Sequence, residues 1–243
     1  MTAGRPGPSD DERRFADRRD AGRRLAHLLE FLRPEHPAVF GIPRGGVPVA
    51  AEVASALGAP LDVVVVRKIG APMNPEFGIG AVAEEGVGVV GEEVVRALGI
   101  GPDEFQRRIS RAEEELAERL ARYRGPAGPR PGPPARPPLS VEGRTAIVVD
   151  DGLATGHTAQ AAARSLRERG AARVILAVPV AAPSSVAALG EEVDEVVCVE
   201  LPPNLWAIGL WYEDFAPTSD GEVTALLDEA AARMARPEGL AGA

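Results

Sequence analysis

One segment, Thr145–Thr158, constrains the fold of this chain more than any other: an apolar run ends in two carboxylates and continues into a loop of small residues. The apolar run predicts a buried parallel strand, and the alanine-rich stretch Gly156–Arg169 predicts the helix that follows it. The loop between them offers backbone N–H groups, threonine hydroxyls and a helix N-terminus to an anion. Asp150 and Asp151 offer carboxylates to vicinal hydroxyls, so the segment predicts a site for a sugar phosphate.

Predicted strands alternate with predicted helices along the rest of the chain. Besides the run that ends at Asp150, the apolar runs that predict strands are Ala38–Ile42, Leu61–Val66, Arg173–Val178 and Glu195–Val199. The helices expected between them are Val47–Leu57, ended by Gly58, and a short helix near Ser184–Leu189. This alternation predicts an α/β fold with a doubly wound, mainly parallel sheet. Ligands bind beyond the carboxyl ends of the strands in such sheets, so we expect Arg44 and Asp150 to face the same crevice.

The connection 67–144 is much longer than the usual link between a strand and a helix, and it predicts an insertion with elements of its own. Ile79–Ala83 and Val87–Val90 flank Glu84-Glu85-Gly86, which indicates a hairpin. Asp103–Arg124 has apolar residues at steps of three and four, typical of an amphipathic helix that packs on the sheet or on another subunit. A homodimer is therefore one of the open arrangements. The proline- and glycine-rich stretch Gly125–Pro138 predicts a flexible linker.

Composition narrows the class of protein. The chain has 243 residues, of which 45% are hydrophobic, enough for one large domain over residues 15–235 between tails at 1–14 and 236–243. No run reaches the roughly 18 apolar residues of a membrane span, and the start of the chain lacks the pattern of a secretory signal. Together with the single Cys198, these features predict a cytoplasmic protein. The net charge of −9 argues against a nucleic-acid partner.

Two motifs resemble those of the type I phosphoribosyltransferases. Ile147–Thr158 is similar to the signature of that family: an apolar strand, two acidic residues, a short loop and then threonine-glycine-x-threonine. Phe40–Gly46 resembles the pyrophosphate-binding loop of the same family. Further similarity runs from about Phe15 to Val223 and includes Arg67–Pro72, Asn74–Phe77 and Trp211–Phe215. The wider pattern is similar to a poorly characterised bacterial branch of the family.

The resemblance implies a site for phosphoribosyl pyrophosphate (PRPP). Asp150 and Asp151 would contact the ribose hydroxyls and favour the positive charge that develops on the ring. The resemblance also implies a cis peptide bond between Pro43 and Arg44. The residues that would hold the 5′-phosphate are Ala154, Thr155, Gly156, His157 and Thr158, and those that would receive the pyrophosphate are Arg44, Gly45 and Gly46.

The reaction implied is displacement of pyrophosphate by a nitrogen nucleophile through a transition state of oxocarbenium character. Mg²⁺ would be held chiefly by oxygens of PRPP, with the two aspartates as the protein ligands closest to it. Arg67 and Lys68 follow the second predicted strand and would stabilise the leaving group. The long insertion occupies the place of a mobile loop that closes over the site in relatives, so we expect it to close on PRPP.

The resemblance leaves the acceptor open. In relatives that act on 6-oxopurines an aspartate precedes the threonine-glycine pair, and here that position is Ala154. This argues against hypoxanthine and guanine and leaves adenine, uracil, orotate or an amine. Conversely, the segment Ile208–Leu210 followed by Asp214 resembles the base-binding segment of the 6-oxopurine enzymes. Trp211 would either stack on a planar acceptor or cover the end of the sheet.

Functions other than catalysis are also compatible with these motifs. A non-catalytic PRPP-binding regulator or metabolite sensor would need the same phosphate loop, although Arg67 and Lys68 favour catalysis. Phosphotransfer receivers and haloacid dehalogenases also end a strand in acidic residues, but their partner residues are not recognisable here. Near the N-terminus, Asp17 and Arg18 belong to the stretch that resembles the family, and solvated charges on a helix face are the simpler interpretation of them.

Overall fold

The computed structural model describes residues 14–72, 78–84, 88–125 and 136–235. The strands are β1 (Ala38–Gly41), β2 (Leu61–Val63), β3 (Val66–Gly70), β4 (Gly78–Ala83), β5 (Gly88–Val90), β6 (Thr145–Val149), β7 (Arg173–Val180) and β8 (Glu195–Glu200). The helices are α1 (Arg18–Leu28), α2 (Gly46–Leu57), α3 (Glu92–Ala97), α4 (Pro102–Arg124), α5 (His157–Glu168), α6 (Pro183–Ala188) and α7 (Asp220–Ala235). Four predicted features lie outside the described residues: the tails apart from Arg14, the motif Asn74–Phe77, the hairpin turn at residues 85–87 and most of the linker.

Five parallel strands form the main sheet in the order β2-β1-β6-β7-β8. Successive strand residues point to opposite faces of the sheet. Both faces are buried, because helices cover both sides of a parallel sheet. Val39 and Ile147 pack with α1, α2 and α7, whereas Phe40 and Val148 pack on the opposite side against Leu166 of α5. The prediction of a doubly wound, mainly parallel sheet is confirmed. Its carboxyl edge carries both the loop after β1 and the loop after β6.

The apolar run Leu61–Val66, predicted as one strand, is divided between two sheets. Leu61–Val63 pairs with β1, and the last link to that strand is the bond from Val64 N–H to the Gly41 carbonyl (3.1 Å). The chain then enters β3, which pairs antiparallel with β4. All the valines from 63 to 65 are buried, so hydrophobicity alone could not show where the hydrogen-bonding partner changes. Arg67 and Lys68 consequently lie within β3 and not at the end of a central strand.

The long connection forms a second layer beside the main sheet. β3, β4 and β5 make a three-stranded antiparallel sheet, which confirms the predicted pairing of the two hairpin strands. Helix α4 packs on β3, β4 and α7 through its apolar side, including Leu116 and Tyr123. The Tyr123 hydroxyl donates to Asp220 of α7 at 2.7 Å. The amphipathic helix therefore covers this chain's own elements.

A buried charge cluster joins this second layer to the main sheet. Arg124, at the end of α4, is paired with Asp62 of β2 at 2.9 Å and with Glu84 after β4 at 2.7 Å. The three side chains are 9%, 2% and 6% exposed. Asp62 also accepts a hydrogen bond from the Leu139 N–H at 2.9 Å. The cluster thus joins the end of β4, the end of α4 and Leu139 to β2.

None of the helices in the described part of the chain combines the length and the apolar character that a bilayer span requires.

Candidate functional site

The loops after β1 and β6 meet at the carboxyl edge of the main sheet. Ile42 N–H donates to the Val149 carbonyl at 2.8 Å, which continues the pairing of the strands into the loops. A Cβ atom on Gly46 would lie 2.6 Å from that carbonyl oxygen and 2.8 Å from Cα of Asp150. Glycine is therefore required for this approach. The Pro43–Arg44 peptide bond is cis, as the family resemblance implied.

The loop after β6 is shaped to present backbone donors. Gly156 has φ +82° and stands just before α5, whose first N–H groups have no carbonyl partner within the helix. The loop is anchored to the end of β7: Leu153 N–H donates to the Val180 carbonyl at 2.8 Å, and Ala182 N–H donates to the Leu153 carbonyl at 3.1 Å. The Ser185 hydroxyl also donates to the Ala154 carbonyl. These bonds hold the loop in place in front of the helix N-terminus, where an anion is favoured.

A cleft of about 130 Å³ lies between this loop and the second layer. Asp150 and Asp151 line it together with Lys68, which reaches in from β3. The other lining residues are Gly152, Leu153, Ala154, Thr155, Gly156, Thr158, Ala159 and Ile208. The cleft thus brings together two carboxylates, one ammonium group and the backbone donors of the loop.

Several residues predicted for the site lie apart from this cleft lining. Arg67 and Lys68 are neighbours on a strand, so their side chains leave it on opposite faces, and Arg67 is paired with Glu115 of α4. His157 and Arg44 are exposed and are not among the residues that line the cleft. Arg67 is therefore paired with α4 and is not among the residues that line the carboxylate cleft, although it lines a neighbouring cavity of about 260 Å³ together with Lys68.

In the aromatic C-terminal segment, the residues predicted for the site do not line the carboxylate cleft. Trp211 borders a separate cavity of about 240 Å³ with Trp206 and Leu210, and none of these three lines the carboxylate cleft. Asp214 is exposed and accepts a hydrogen bond from the Ala216 N–H at 2.9 Å. Ile208 is the member of this segment that reaches the cleft. Neither Trp211 nor Asp214 is thus among the residues that line the carboxylate cleft.

The two aspartates lie in different electrostatic surroundings. Burial raises the pKa of Asp150 well above its usual range, and the adjacent charge of Asp151 raises it further, while Lys68 and Arg18 oppose the rise. Burial also raises the pKa of Asp151, and there Arg18 opposes the rise directly by charge and by a hydrogen bond. Both carboxyls therefore hold a proton more readily than a free aspartate does, and Arg18 limits the effect at Asp151.

Arg18 is the site neighbour that sequence reasoning missed. Its Nε donates to Oδ2 of Asp151 at 2.9 Å, and the Arg18 side chain is only 11% exposed. The expectation of a solvated helix-face charge is therefore wrong for this residue. The two residues are 133 positions apart, and nothing in the periodicity of either segment points to the other. The one local signal is Asp17, which caps α1 and places Arg18 at its first position.

The carboxylates suit a divalent cation only as part of a shared ligand set. No group of three or more His, Cys, Asp or Glu side chains in the described ranges is placed to hold a metal ion. Asp150 and Asp151 offer oxygen ligands, which Mg²⁺ prefers, and Mg²⁺ is usually bound by one or two carboxylates together with substrate phosphates and water. The pair therefore fits Mg²⁺ that arrives with a phosphorylated ligand.

One protein-family model matches most of the chain. The family model described as the phosphoribosyl transferase domain matches residues 15–214. The chain belongs to the phosphoribosyltransferase family. Strand β6, the acidic pair and the loop that leads into α5 all fall within the matched part, so the cleft belongs to the phosphoribosyltransferase domain.

Two individual relatives extend the comparison. The Mycobacterium tuberculosis H37Rv protein named "Putative phosphoribosyl transferase Rv0571c" is 44% identical over 216 residues, which are 89% of this chain and 47% of that protein. The chain thus spans about half the length of the curated relatives it matches. The crystal structure of TT1426 from Thermus thermophilus is 42% identical, with a TM-score of 0.72, over 89% of this chain and 98% of that one. This phosphoribosyltransferase domain therefore shares its fold with a solved structure over 89% of the chain.

Proposed function

We propose that this domain transfers the phosphoribosyl group of PRPP to a nitrogen nucleophile, with Mg²⁺, and releases pyrophosphate. The observation that carries the proposal is the cleft in which Asp150, Asp151 and Lys68 face the anion-binding loop before α5. Phosphate, ribose and pyrophosphate each meet groups of suitable chemistry there. Because the curated relatives are about twice as long, the proposal concerns the activity of this domain.

The loop is proposed to hold the 5′-phosphate. Thr155, Gly156 and Thr158 line the cleft, and the positive φ of Gly156 turns the backbone so that the first N–H groups of α5 are available. An anion at this point is stabilised by those donors and by the helix dipole. His157 would contribute its backbone N–H, since its side chain is exposed and does not line the cleft.

The acidic pair is proposed to act at the ribose. A carboxylate beside the anomeric carbon favours the positive charge of an oxocarbenium-like transition state, and the effect is larger where water is excluded. The attacking nitrogen forms a bond to C1 as the C1–O bond to pyrophosphate breaks, and the leaving group keeps the bonding electrons. Water or a basic group of the acceptor site accepts the proton that the nitrogen releases.

Lys68 and the cis-peptide loop are proposed to receive the pyrophosphate. Lys68 is the basic residue among those that line the cleft, and both Gly45 and Gly46 approach the aspartates closely. The Gly46 N–H donates to the Ile42 carbonyl at 3.0 Å, so Gly45 would be the residue that offers its backbone N–H to the leaving group, and Gly46 would permit the close approach. Arg44 is exposed at the same loop and would add a charge-assisted contact. Asp150 and Asp151 would be the protein ligands of Mg²⁺, which supplies charge neutralisation of the leaving pyrophosphate when bound.

The acceptor is proposed to be a nitrogenous base, or an amine whose nitrogen loses its proton after the bond to C1 has formed. Ala154, exposed at the cleft, carries no group that could take a proton from a 6-oxopurine. Ile208 provides an apolar wall on the side of the C-terminal segment. These features favour adenine, uracil, orotate or a simple amine as the first compounds to test.

Binding calorimetry with Mg²⁺–PRPP tests the proposal before any acceptor is known. Ribose 5-phosphate and pyrophosphate serve as ligand controls, and Asp150→Asn serves as the site variant. We expect saturable binding of PRPP that is weakened at least about tenfold by Asp150→Asn. Absence of binding would refute the proposal.

Pyrophosphate release in the presence of each candidate acceptor then separates the enzyme from its alternative. Release that depends on an acceptor and on Lys68 supports phosphoribosyl transfer. Tight PRPP binding without release for any acceptor would instead indicate the non-catalytic regulator or sensor.

A further inference from the structure

The cavity of about 260 Å³ beside the carboxylate cleft lies between β3 and α4. It is lined along β3 by Arg67–Gly70 and along α4 by Arg108, Arg111, Ala112 and Glu115. Four of these lining residues are cationic and one is a carboxylate. Among the described residues, Lys68 is the single one that lines both spaces, so this β3–α4 cavity adjoins the cleft but is distinct from it.

The carboxylates near the β3–α4 cavity are each shared between two cations. Glu115 is paired with Arg67 from β3 and, at 3.2 Å, with Arg111 from its own helix. Glu104 is paired with Arg108 at 2.8 Å, but it lies outside the lining and also pairs with a further arginine of α4. The cavity therefore keeps an excess of positive charge, which favours an anion.

Arg108 has hydrogen-bonding capacity that the described residues leave unused. Its Nη1 donates to the Gly70 carbonyl at 3.2 Å, which holds the guanidinium against the end of β3. Its Nε is buried and has no hydrogen-bond partner among the described residues. An unpaired buried N–H costs free energy, so an oxyanion that supplied the acceptor would be stabilised. Guanidinium groups suit phosphate in particular, because its oxygens accept two parallel hydrogen bonds from one arginine.

We propose that the β3–α4 cavity binds the polyphosphate group of a second phosphorylated ligand, with Arg108 and Arg111 as its principal contacts. The excess of cations, the arginine side chains and the unpaired Nε favour a ligand with several phosphate oxygens. The cavity has room for such a group, since its volume is about 260 Å³ against about 130 Å³ for the carboxylate cleft.

Lys68 gives the second site a means to regulate the first. It lines both spaces, and its charge acts on Asp150 in the carboxylate cleft. An anion in the β3–α4 cavity attracts the ammonium group that the cleft also uses, and two polyanions in adjoining spaces repel each other. Occupation of the cavity is therefore expected to weaken PRPP binding. This regulation rests on the proposed function, whereas the anion site does not.

NMR of the arginine side chains tests the anion site in the protein without PRPP and Mg²⁺. Inorganic tripolyphosphate is the probe, and sodium sulfate at the same ionic strength controls for the screening of charge. We expect tripolyphosphate to cause a saturable shift of the Arg108 Nε–Hε signal, which is identified by its loss in Arg108→Lys. Absence of a saturable shift, or an equal shift with sulfate, would overturn the inference.

Arg111→Gln and Arg107→Gln are a matched pair of variants on α4. Each removes one exposed guanidinium, since the two side chains are 81% and 71% exposed, but only Arg111 lines the cavity. Arg111→Gln should weaken the tripolyphosphate binding reported by Arg108 at least about fivefold, and Arg107→Gln should change it less than about twofold. Equal losses would show that the anion responds only to the net charge of the helix, and would contradict the site.

ATP, titrated in the same way, identifies the source of the polyphosphate group. Tighter binding of ATP than of tripolyphosphate assigns the site to nucleotides. Tighter binding of tripolyphosphate assigns it to inorganic polyphosphate. A signal of Arg108 that responds to neither compound removes the site.

Calorimetry of PRPP binding with Mg²⁺ in excess tests the regulation. Tripolyphosphate should lower the affinity for PRPP, and the concentration that halves this affinity should rise at least about threefold in Arg111→Gln. The same concentration in both proteins would mean that the probe competes only within the carboxylate cleft, and would overturn the regulation.

Two further results separate this inference from the proposed function. If Arg111→Gln weakened PRPP binding as much as tripolyphosphate binding, the cavity would be part of the PRPP site and the inference would be wrong. Failure of the wild-type protein to bind PRPP would refute the proposed function, and the NMR titration would still decide the anion site.

Discussion

Gly45 lies so close to Asp151 that a Cβ atom at position 45 would stand 2.0 Å from Oδ2 of the aspartate. The loop after β1 and the loop after β6 are therefore mutually dependent, because the carboxylate occupies the space that any larger residue at position 45 would need. The backbone of Gly45 has φ −63° and ψ −32°, which alanine adopts readily, so the steric conflict is the only obstacle.

Gly45→Ala should displace the Asp151 carboxylate and break its contact with Arg18. We expect PRPP affinity to fall at least about tenfold, since the loop and the acidic pair move apart together. Gly101→Ala is the control, because a Cβ there meets no atom within 4 Å. Calorimetry on both variants checks the prediction, and equal affinities for PRPP would show that the two loops do not depend on each other.

Lys68 and Arg67 provide a direct comparison of two cations on one strand. Lys68→Met removes the basic group of the cleft lining and should lower the rate of pyrophosphate release about a hundredfold, the effect of losing one preorganised electrostatic contact. Arg67→Gln removes a charge that is paired with Glu115 and should cost less than about threefold. Steady-state rates of pyrophosphate release by the two variants test this difference. A larger loss in Arg67→Gln would restore Arg67 to the leaving-group role.

Asp150→Asn should increase the stability of the folded protein although it weakens PRPP binding. Because burial raises the pKa of Asp150 in the folded state, folding takes up a proton between the unfolded pKa, about 3.9, and the higher folded value. Wild-type stability therefore falls as pH rises through this interval. Asp150→Asn removes the cost and should be more stable by about 0.5–2 kcal/mol at neutral pH, with no gain below about pH 4.

Asp151→Asn makes the same chemical change at the adjacent position, where burial also raises the pKa of the carboxyl, but it additionally removes the charge partner of Arg18. It leaves the buried Arg18 guanidinium without its carboxylate, which is expected to lower the free energy of unfolding by about 1–3 kcal/mol. Urea unfolding at several pH values measures both variants. Equal changes in the two would mean that Arg18 does not distinguish the aspartates.

Arg124 should be a main determinant of stability, independent of the site. Arg124→Met leaves Asp62 buried without its cation and leaves Glu84 with the more distant Arg169, whose Nη1 lies 3.6 Å from Oε2, which is expected to cost about 3–5 kcal/mol. Arg122→Gln is the control two residues earlier on the same helix, where the Arg122 side chain is 60% exposed and its pair with Asp220 is worth about 1 kcal/mol or less. Chemical unfolding of both variants measures the difference. A loss of similar size in the two would show that burial does not strengthen the Arg124 cluster.

Much of the fold could be predicted from the sequence because its determinants are local. The strand before Asp150 was evident from an unbroken apolar run, and the helix after Gly156 from its alanines and its glycine start. Gly58 ends α2 with φ +64°, a conformation that glycine adopts at no steric cost. The antiparallel pairing of β4 with β5 followed from two short apolar runs on either side of a turn.

The tertiary structure alone decided which of these residues act together. The division of Leu61–Val66 between two sheets depends on where hydrogen-bonding partners change, and a run of valines is equally suited to either sheet. Of the neighbours Arg67 and Lys68, it is Lys68 that lines the carboxylate cleft, because the packing of the second layer decides which face of β3 covers the cleft. The pairing of Arg18 with Asp151 joins residues 133 positions apart. Ion pairs between distant segments leave no periodic pattern in a sequence, because they depend on the meeting of two surfaces that are formed only when the chain has folded.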